Sequence, residues 1–204
     1  MADFRAIQAV GEAVVNLLRS SYRPEDFNTE LEFRTFTARD FGQNAVQNGV
    51  SFFLYRIFPF GVHRAPAGRV DAQGRKLQSL LPLELHFILT VWAQEASLQH
   101  AIAGWAMRML EDSPILTAGV LNAAAEGSFR SDEFVEVGLA ELSNEDLLRI
   151  WEVLGLNVYQ LSIPYLARPI RIESIQPRLE DGGGLIQDRI QDAGVFRPAE
   201  AFQG

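Results

Sequence analysis

Apolar residues recur along this chain with two different periods, and the periods divide it into strands and helices. In LPLELHFILTVWA, residues 81–93, every second position from Leu83 to Val91 is apolar: Leu83, Leu85, Phe87, Leu89 and Val91. A period of two places these side chains on one face of a strand. The other face receives Glu84, His86, Ile88, Thr90 and Trp92. LEFRTFTA, residues 31–38, alternates in the same manner. GVSFFLYRIFPF, residues 49–60, is apolar on both faces apart from Ser51 and Arg56, the pattern of a strand inside a sheet covered on both sides. EFVEVGL, residues 133–139, predicts a short strand. NVYQLSIPYLARPIRIESI, residues 157–175, is extended, and its Pro164 and Pro169 predict a position at the sheet edge, where a missing N–H costs least.

The helical period appears in four places. Residues 3–20 carry Ile7, Val10, Val14, Leu17 and Leu18 at spacings of three and four, with Asp3 placed as N-cap and Tyr22–Pro24 as the stop. In residues 97–111 the predicted buried stripe is Leu98, Ile102, Trp105 and Met109, with His100 and Arg108 turned away. Ser113–Pro114 has the form of a helix start and predicts a short helix through ILTAGVLNAAA. SNEDLLRIWEVLG, residues 143–155, has Ser143 as cap with Asp146 three positions on. Leu147, Ile150, Trp151 and Leu154 share one face of it, and Gly155 closes it.

Two segments follow neither period. Residues 61–80 form a long loop in which Arg64, Arg69, Arg75 and Lys76 face a single acid, Asp71. Long connections of this kind are frequently binding elements. Residues 176–204 contain Gly182–Gly184 and scattered apolar residues, among them Leu185, Ile186 and Ile190, and read as an extended arm. The fold class is therefore α+β: one domain over 1–175, a mixed and mostly antiparallel sheet flanked by helices, followed by a C-terminal arm over 176–204.

Composition narrows the function. A chain of 204 residues with 48% hydrophobic and 22% charged positions buries a core without covalent staples. It has no cysteine, which excludes disulfides and thiolate chemistry. The first residues, MADFRAIQAV, lack the basic head and apolar run of a signal peptide. No apolar stretch nears the ~20 residues of a spanning helix, so synthesis and folding in the cytoplasm are expected, with no membrane insertion. A net charge of −8 argues against nucleic acid as a main partner. The cations are 17 arginines and one lysine, Lys76.

Candidate chemistry is thin. Glu84 and His86 lie two apart on a strand and share a face, about 7 Å apart at Cβ, which permits an acid–base pair. Catalysis also needs a nucleophile or metal and a pocket, and His63 and His100 fall elsewhere. No HExxH, GxSxG, P-loop or Rossmann glycine pattern is present. The acid pairs Glu111–Asp112, Asp132–Glu133 and Glu145–Asp146 sit at helix ends or in loops, where solvation and the helix dipole account for them. Trp92, Trp105 and Trp151 are read as core. No catalytic residue, cofactor or metal site is expected.

The strand LPLELHFILTVWA followed by a helix ending AMRMLEDSPIL resembles the small cap, or tail-terminator, proteins of phage-tail-like extracellular contractile injection systems. MADFRAIQAVGEAVVNLL, VSFFLYRI and IPYLARPIRI occur in the same order, and the resemblance covers about residues 3–175, leaving the tail from residue 176 unmatched. It implies a structural role. Such proteins form a six-membered ring at the end distal to the baseplate, meet the last disc of the inner tube and the last sheath ring, and stop further addition. No catalytic residues are known for the family. A tail-completion or baseplate-adaptor ring is the alternative within phage-like particles, and a Glu84–His86 enzyme is the alternative outside them.

A ring of identical subunits joins unlike patches head to tail, and a sheet edge accepts a strand from a partner. The expected interface residues are accordingly Arg64, Arg69, Arg75 and Lys76 of the loop, Glu84 and His86 of the strand, Arg168 and Arg171 of segment 165–175, and Leu185, Ile186 and Ile190 of the arm.

Overall fold

The structure is a computed structural model that describes residues 2–43, 46–60, 80–154 and 159–174. The elements are α1 (Ala6–Ser21), β1 (Glu32–Phe36), β2 (Gly49–Pro59), β3 (Leu80–Trp92), α2 (Ala96–Asp112), β4 (Ile115–Thr117), α3 (Ala118–Ala124), β5 (Phe134–Leu139), α4 (Asn144–Val153) and β6 (Ser162–Glu173). The strands form one sheet in the order β1-β2-β3-β6-β5-β4. Only the β1–β2 pair is parallel; every other neighbour is antiparallel. The expected mixed, mostly antiparallel α+β architecture is the one observed.

One face of the sheet carries the main core. Leu83, Leu85, Phe87, Leu89 and Val91 of β3 all lie in it, as the alternation predicts, together with Val10 and Val14 of α1 and Ile102 of α2. Helix α1 packs so closely that a side chain at Gly11 would begin 3.1 Å from the Phe52 ring. The opposite face is covered at one end by a second, smaller cluster of Phe36, Phe41, Val46 and Trp151, against which Phe53, Trp92, Leu147 and Leu154 pack. Across that end runs a row of buried hydroxyls. Thr90 Oγ1 lies 3.0 Å from Ser162 Oγ, and the Trp92 indole donates to Ser51 Oγ at 2.9 Å, whereas the buried Trp151 indole N–H of the cluster has no hydrogen-bond partner among the described residues.

Several local expectations change. Asp3 does serve the start of α1, accepting the Arg5 N–H at 2.7 Å, but the helix itself begins at Ala6. In α2 the buried residues are Ile102, Ala103, Ala106 and Leu110, with Leu98, Trp105 and Met109 on the shoulder. The small alanines let the helix sit close, and Trp105 on its shoulder meets the rings of Tyr22, Phe27 and Phe33. Ser113–Pro114 does not start a helix. Residues 115–117 pair with β5 instead, and the helix begins only at Ala118; two β-branched residues and a partner strand outweigh a start signal of two residues. Strand β2 is covered on both faces only over its first residues and is exposed from Arg56 to Pro59, because β1 runs beside it no further than Phe53.

The largest correction concerns β6, which lies between β3 and β5 and is no edge strand. Its two prolines are accommodated by position. The Pro164 carbonyl accepts from Ala140 N at 3.0 Å, just past Leu139, the last β5 residue in the ladder. Its missing N–H therefore points where β5 has already ended. Pro169 falls in a bulge, where Arg168 and Pro169 together face Glu84 between the pairs Leu83–Ile170 and Leu85–Ala167. Both are sites where a ladder tolerates proline.

The two edges of the sheet are finished differently. Glu32 N donates to Asn48 O, so the main-chain groups of Leu31 and Phe33 point outward from β1. The Leu31 N–H donates to the Tyr22 hydroxyl at 3.1 Å, and the Phe33 carbonyl accepts from Arg19 Nη2 at 2.7 Å. Beyond the strand, Thr37 N donates to the Asp40 carboxylate at 2.6 Å, which holds that carboxyl below the usual range. Side chains thus cover the first part of the β1 edge. At β4, Val137 N donates to Pro114 O, so the main chain of Ile115 faces away from β5, with no strand beside it among the described residues. Segment 61–79 and the arm 176–204 lie outside the described residues.

Candidate functional site

The half of the second sheet face left uncovered by the small cluster carries the charged residues. Glu84 and His86 of β3 face Phe58 and Arg56 of β2, and on the other side they face β6 with Leu166 and Arg168. Glu84 Oε1 is 2.7 Å from His86 Nε2, and Arg168 Nη1 donates to Glu84 Oε2 at 2.8 Å. The Glu84 and His86 side chains are only 12% and 19% exposed, against 45% for Arg168. A carboxylate so far withdrawn from water needs cationic or donor partners, and both of its oxygens have them.

Two bulges create this arrangement. On β6 the extra residue brings Arg168 round to Glu84. On β2 the register slips between Leu54 and Arg56, which places Tyr55 edge-on to the His86 ring at 6.2 Å. Burial pushes the Tyr55 phenol above its ordinary value; nearby Asp146 acts in the same direction and Arg56 against it. Arg168 also lies over the Phe60 ring at 5.3 Å, and Arg56 over Phe58 at 4.5 Å. Bulges re-aim side chains in this way, and Tyr55, Arg56 and Phe58 are members that periodicity alone did not single out. The interruption of the apolar run at Arg56 was the available signal.

Chemically the group is an ion-paired, aromatic-flanked surface. Both Glu84 oxygens are engaged, by His86 and by Arg168, and no metal-binding group occurs among the described residues. Beside it, between α4 and β2, runs an open groove of about 530 Å³ lined by Phe53, Tyr55, Ile150 and Val153, with Asp146 and Arg149 on its wall. Toward β4 the same face continues through Glu136, which is opposite both Arg168 and Ile115, and the exposed Phe134.

Of the residues expected at an interface, Glu84, His86 and Arg168 come together here. Arg171 stays apart, exposed in a shallow groove with Arg130, Asp132 and Phe134. Arg64, Arg69, Arg75, Lys76, Leu185, Ile186 and Ile190 lie outside the described residues. The three tryptophans are core residues, Trp105 against the main cluster and Trp92 and Trp151 in the small one. No described helix is long and apolar enough to cross a membrane.

Residues 9–182 match the model of the Pvc16 N-terminal domain. The chain belongs to the Pvc16 N-terminal domain family. The fold of this family member is shared with two solved structures. One is the sheath/tube terminator of the extracellular contractile injection system PVC in its extended state, with a TM-score of 0.53 and 18% identity over 91% of this chain and 67% of that one. The other is the tube-terminating cap of the anti-feeding prophage, with a TM-score of 0.57 and 18% identity over 86% of this chain and 58% of that one. The family member thus spans about two thirds or less of either relative's length. No curated protein sequence matches it.

Proposed function

We propose that this protein is the structural cap of a contractile injection particle, sitting at the baseplate-distal end, ending tube and sheath growth and linking the two. The match of residues 9–182 to the Pvc16 N-terminal domain carries this reading, and the fold shared with the PVC terminator and the anti-feeding prophage cap supports it. In this reading the protein works as a hexameric ring assembled in the cytoplasm, its partners are further copies of itself, the inner tube protein and the sheath protein, and it is not an enzyme. The half-covered sheet face is in keeping with such a role. Its charges are paired in advance, so covering them with a neighbour strands no lone carboxylate. The loop 61–80 and the arm 176–204 are the segments proposed to reach tube, sheath or adjoining subunits.

Locating the protein on purified particles tests the reading directly. An epitope-tagged chain imaged by electron microscopy is expected at the end opposite the baseplate, and particles assembled without it are expected to carry tubes and sheaths of uncontrolled length. Label at the baseplate end would replace the cap with an adaptor ring. Normal particle length without the protein would remove the terminator role.

A further inference from the structure

Helix α4 carries more apolar surface than the described residues cover. Leu147, Leu148, Ile150, Trp151, Val153 and the C-cap Leu154 are apolar, yet Trp151 alone is buried. At 3.6 residues per turn these side chains span more than half of the helix circumference, wider than the stripe by which a surface helix usually meets its core. Val153 is 86% exposed and Leu148 56%. On one side of Trp151 the helix stands away from β2 and leaves the groove of about 530 Å³, with Phe53 and Tyr55 on the strand side and Ile150 and Val153 on the helix side. Three charged residues line it: Arg56, Asp146 and Arg149. Arg149 donates to Glu145 at 2.5 Å, and the Asp146 carboxylate accepts from the Ser143 hydroxyl at 2.7 Å. Arg56 lies over the Phe58 ring and meets no carboxylate among the described residues. Glu84, on the next strand, has both oxygens taken by His86 and Arg168, and Glu136 lies beyond them, opposite Arg168.

We infer that the groove between α4 and β2 is a docking site for an acidic peptide segment of another protein, which seats a large apolar side chain beside Phe53 and Val153 and sets a carboxylate against Arg56. The chemistry of the occupant follows from what the groove leaves unmet. A purely apolar segment would cover the Arg56 guanidinium without a counter-ion, which is costly. A basic segment would bring like charge against Arg56 and Arg149, which works against binding. An acidic one gives the planar guanidinium a carboxylate that it can bind through two N–H groups, while its apolar side chain fills space that α4 and β2 leave to water. An apolar anchor in a pocket, with a satisfied charge at its margin, is the arrangement in which a few residues supply most of the binding energy. The inference rests on the reading of the protein as a structural component that joins other proteins, and it names the chemistry of one of them.

A random peptide library selected on the full chain tests this without particles. Peptides that pair a large apolar residue with a nearby Asp or Glu are expected to be enriched. They are expected to be lost on Ala38→Trp, which fills the groove from its wall, with circular dichroism confirming that the variant folds. A synthetic peptide of the enriched sequence should bind Arg56→Glu about tenfold more weakly, and Arg56→Lys should keep most of the affinity. Selection repeated on Arg56→Glu should favour Lys or Arg in place of the acid. No enrichment, enriched peptides without an acid, or peptides that bind Arg56→Glu as well as the unaltered chain would overturn the inference. Self-association of the chain that Ala38→Trp abolishes, read by sedimentation, would give the groove to a second copy and overturn it as well. A cap found elsewhere on the particle would sink the functional reading alone, and a correctly placed cap whose groove selects no acidic peptide would sink only the docking site.

Discussion

Glu84 is a residue whose meaning changed between sequence and fold. Its spacing from His86 was enough to place both on one face of β3, and that placement holds at 2.7 Å. What spacing could not contain was Arg168, 84 residues away in sequence, which arrives only because β6 carries an extra residue opposite Glu84. Bulges depend on the pairing of two strands, so one strand's pattern does not disclose them. With both oxygens engaged, Glu84 ties His86 and the Arg168 guanidinium together on one sheet face. Glu84→Gln keeps the shape and removes the charge, leaving Arg168 and His86 side by side. A loss of about 1–2 kcal/mol in urea unfolding is expected, with the fold retained; an unchanged midpoint would show the pair to be energetically idle.

At the scale of elements, those with one dominant signal were legible and those settled by neighbours were not. Helix α4 is the clearest case. Ser143 Oγ accepts from Asp146 N at 3.0 Å and donates to the Asp146 carboxylate at 2.7 Å, the reciprocal cap that the spacing predicted. It buries a single residue fully, Trp151, so its termini carry more of its stability than they would in a well-buried helix. Ser143→Ala is expected to cost about 1 kcal/mol and to raise hydrogen exchange through the first turn of α4 more than elsewhere. Equal exchange across the chain would place the helix's stability in its packing. The β4 strand and the central position of β6 were hidden for the opposite reason. Three residues, 115–117, become a strand because β5 is there to pair with them, and Pro164 and Pro169 are admitted to the sheet interior because one neighbour ends and another bulges.

For the whole molecule, the α+β class and the main core under β3 could be read from patterning, since they rest on many positions agreeing. The covered and uncovered halves of the second face could not, because the small cluster draws together Phe36, Phe41, Val46 and Trp151 from distant parts of the chain. The arm enters at this scale as a proposed assembly element. Ending the chain after residue 175 is expected to leave the thermal midpoint of the domain within a few degrees while reducing incorporation into particles several-fold. A truncated chain that incorporates normally would remove the arm from assembly, and one that fails to fold would make it part of the domain.

The finish given to β1 reaches beyond its own strand. An isolated sheet with two receptive sides invites endless side-by-side stacking, the route by which folded proteins turn into fibres. Here Arg19 and Tyr22 take up main-chain groups along one side, which makes that side a poorer template for another strand. Two side chains at the end of α1 thus also guard the folded molecule against stacking upon itself.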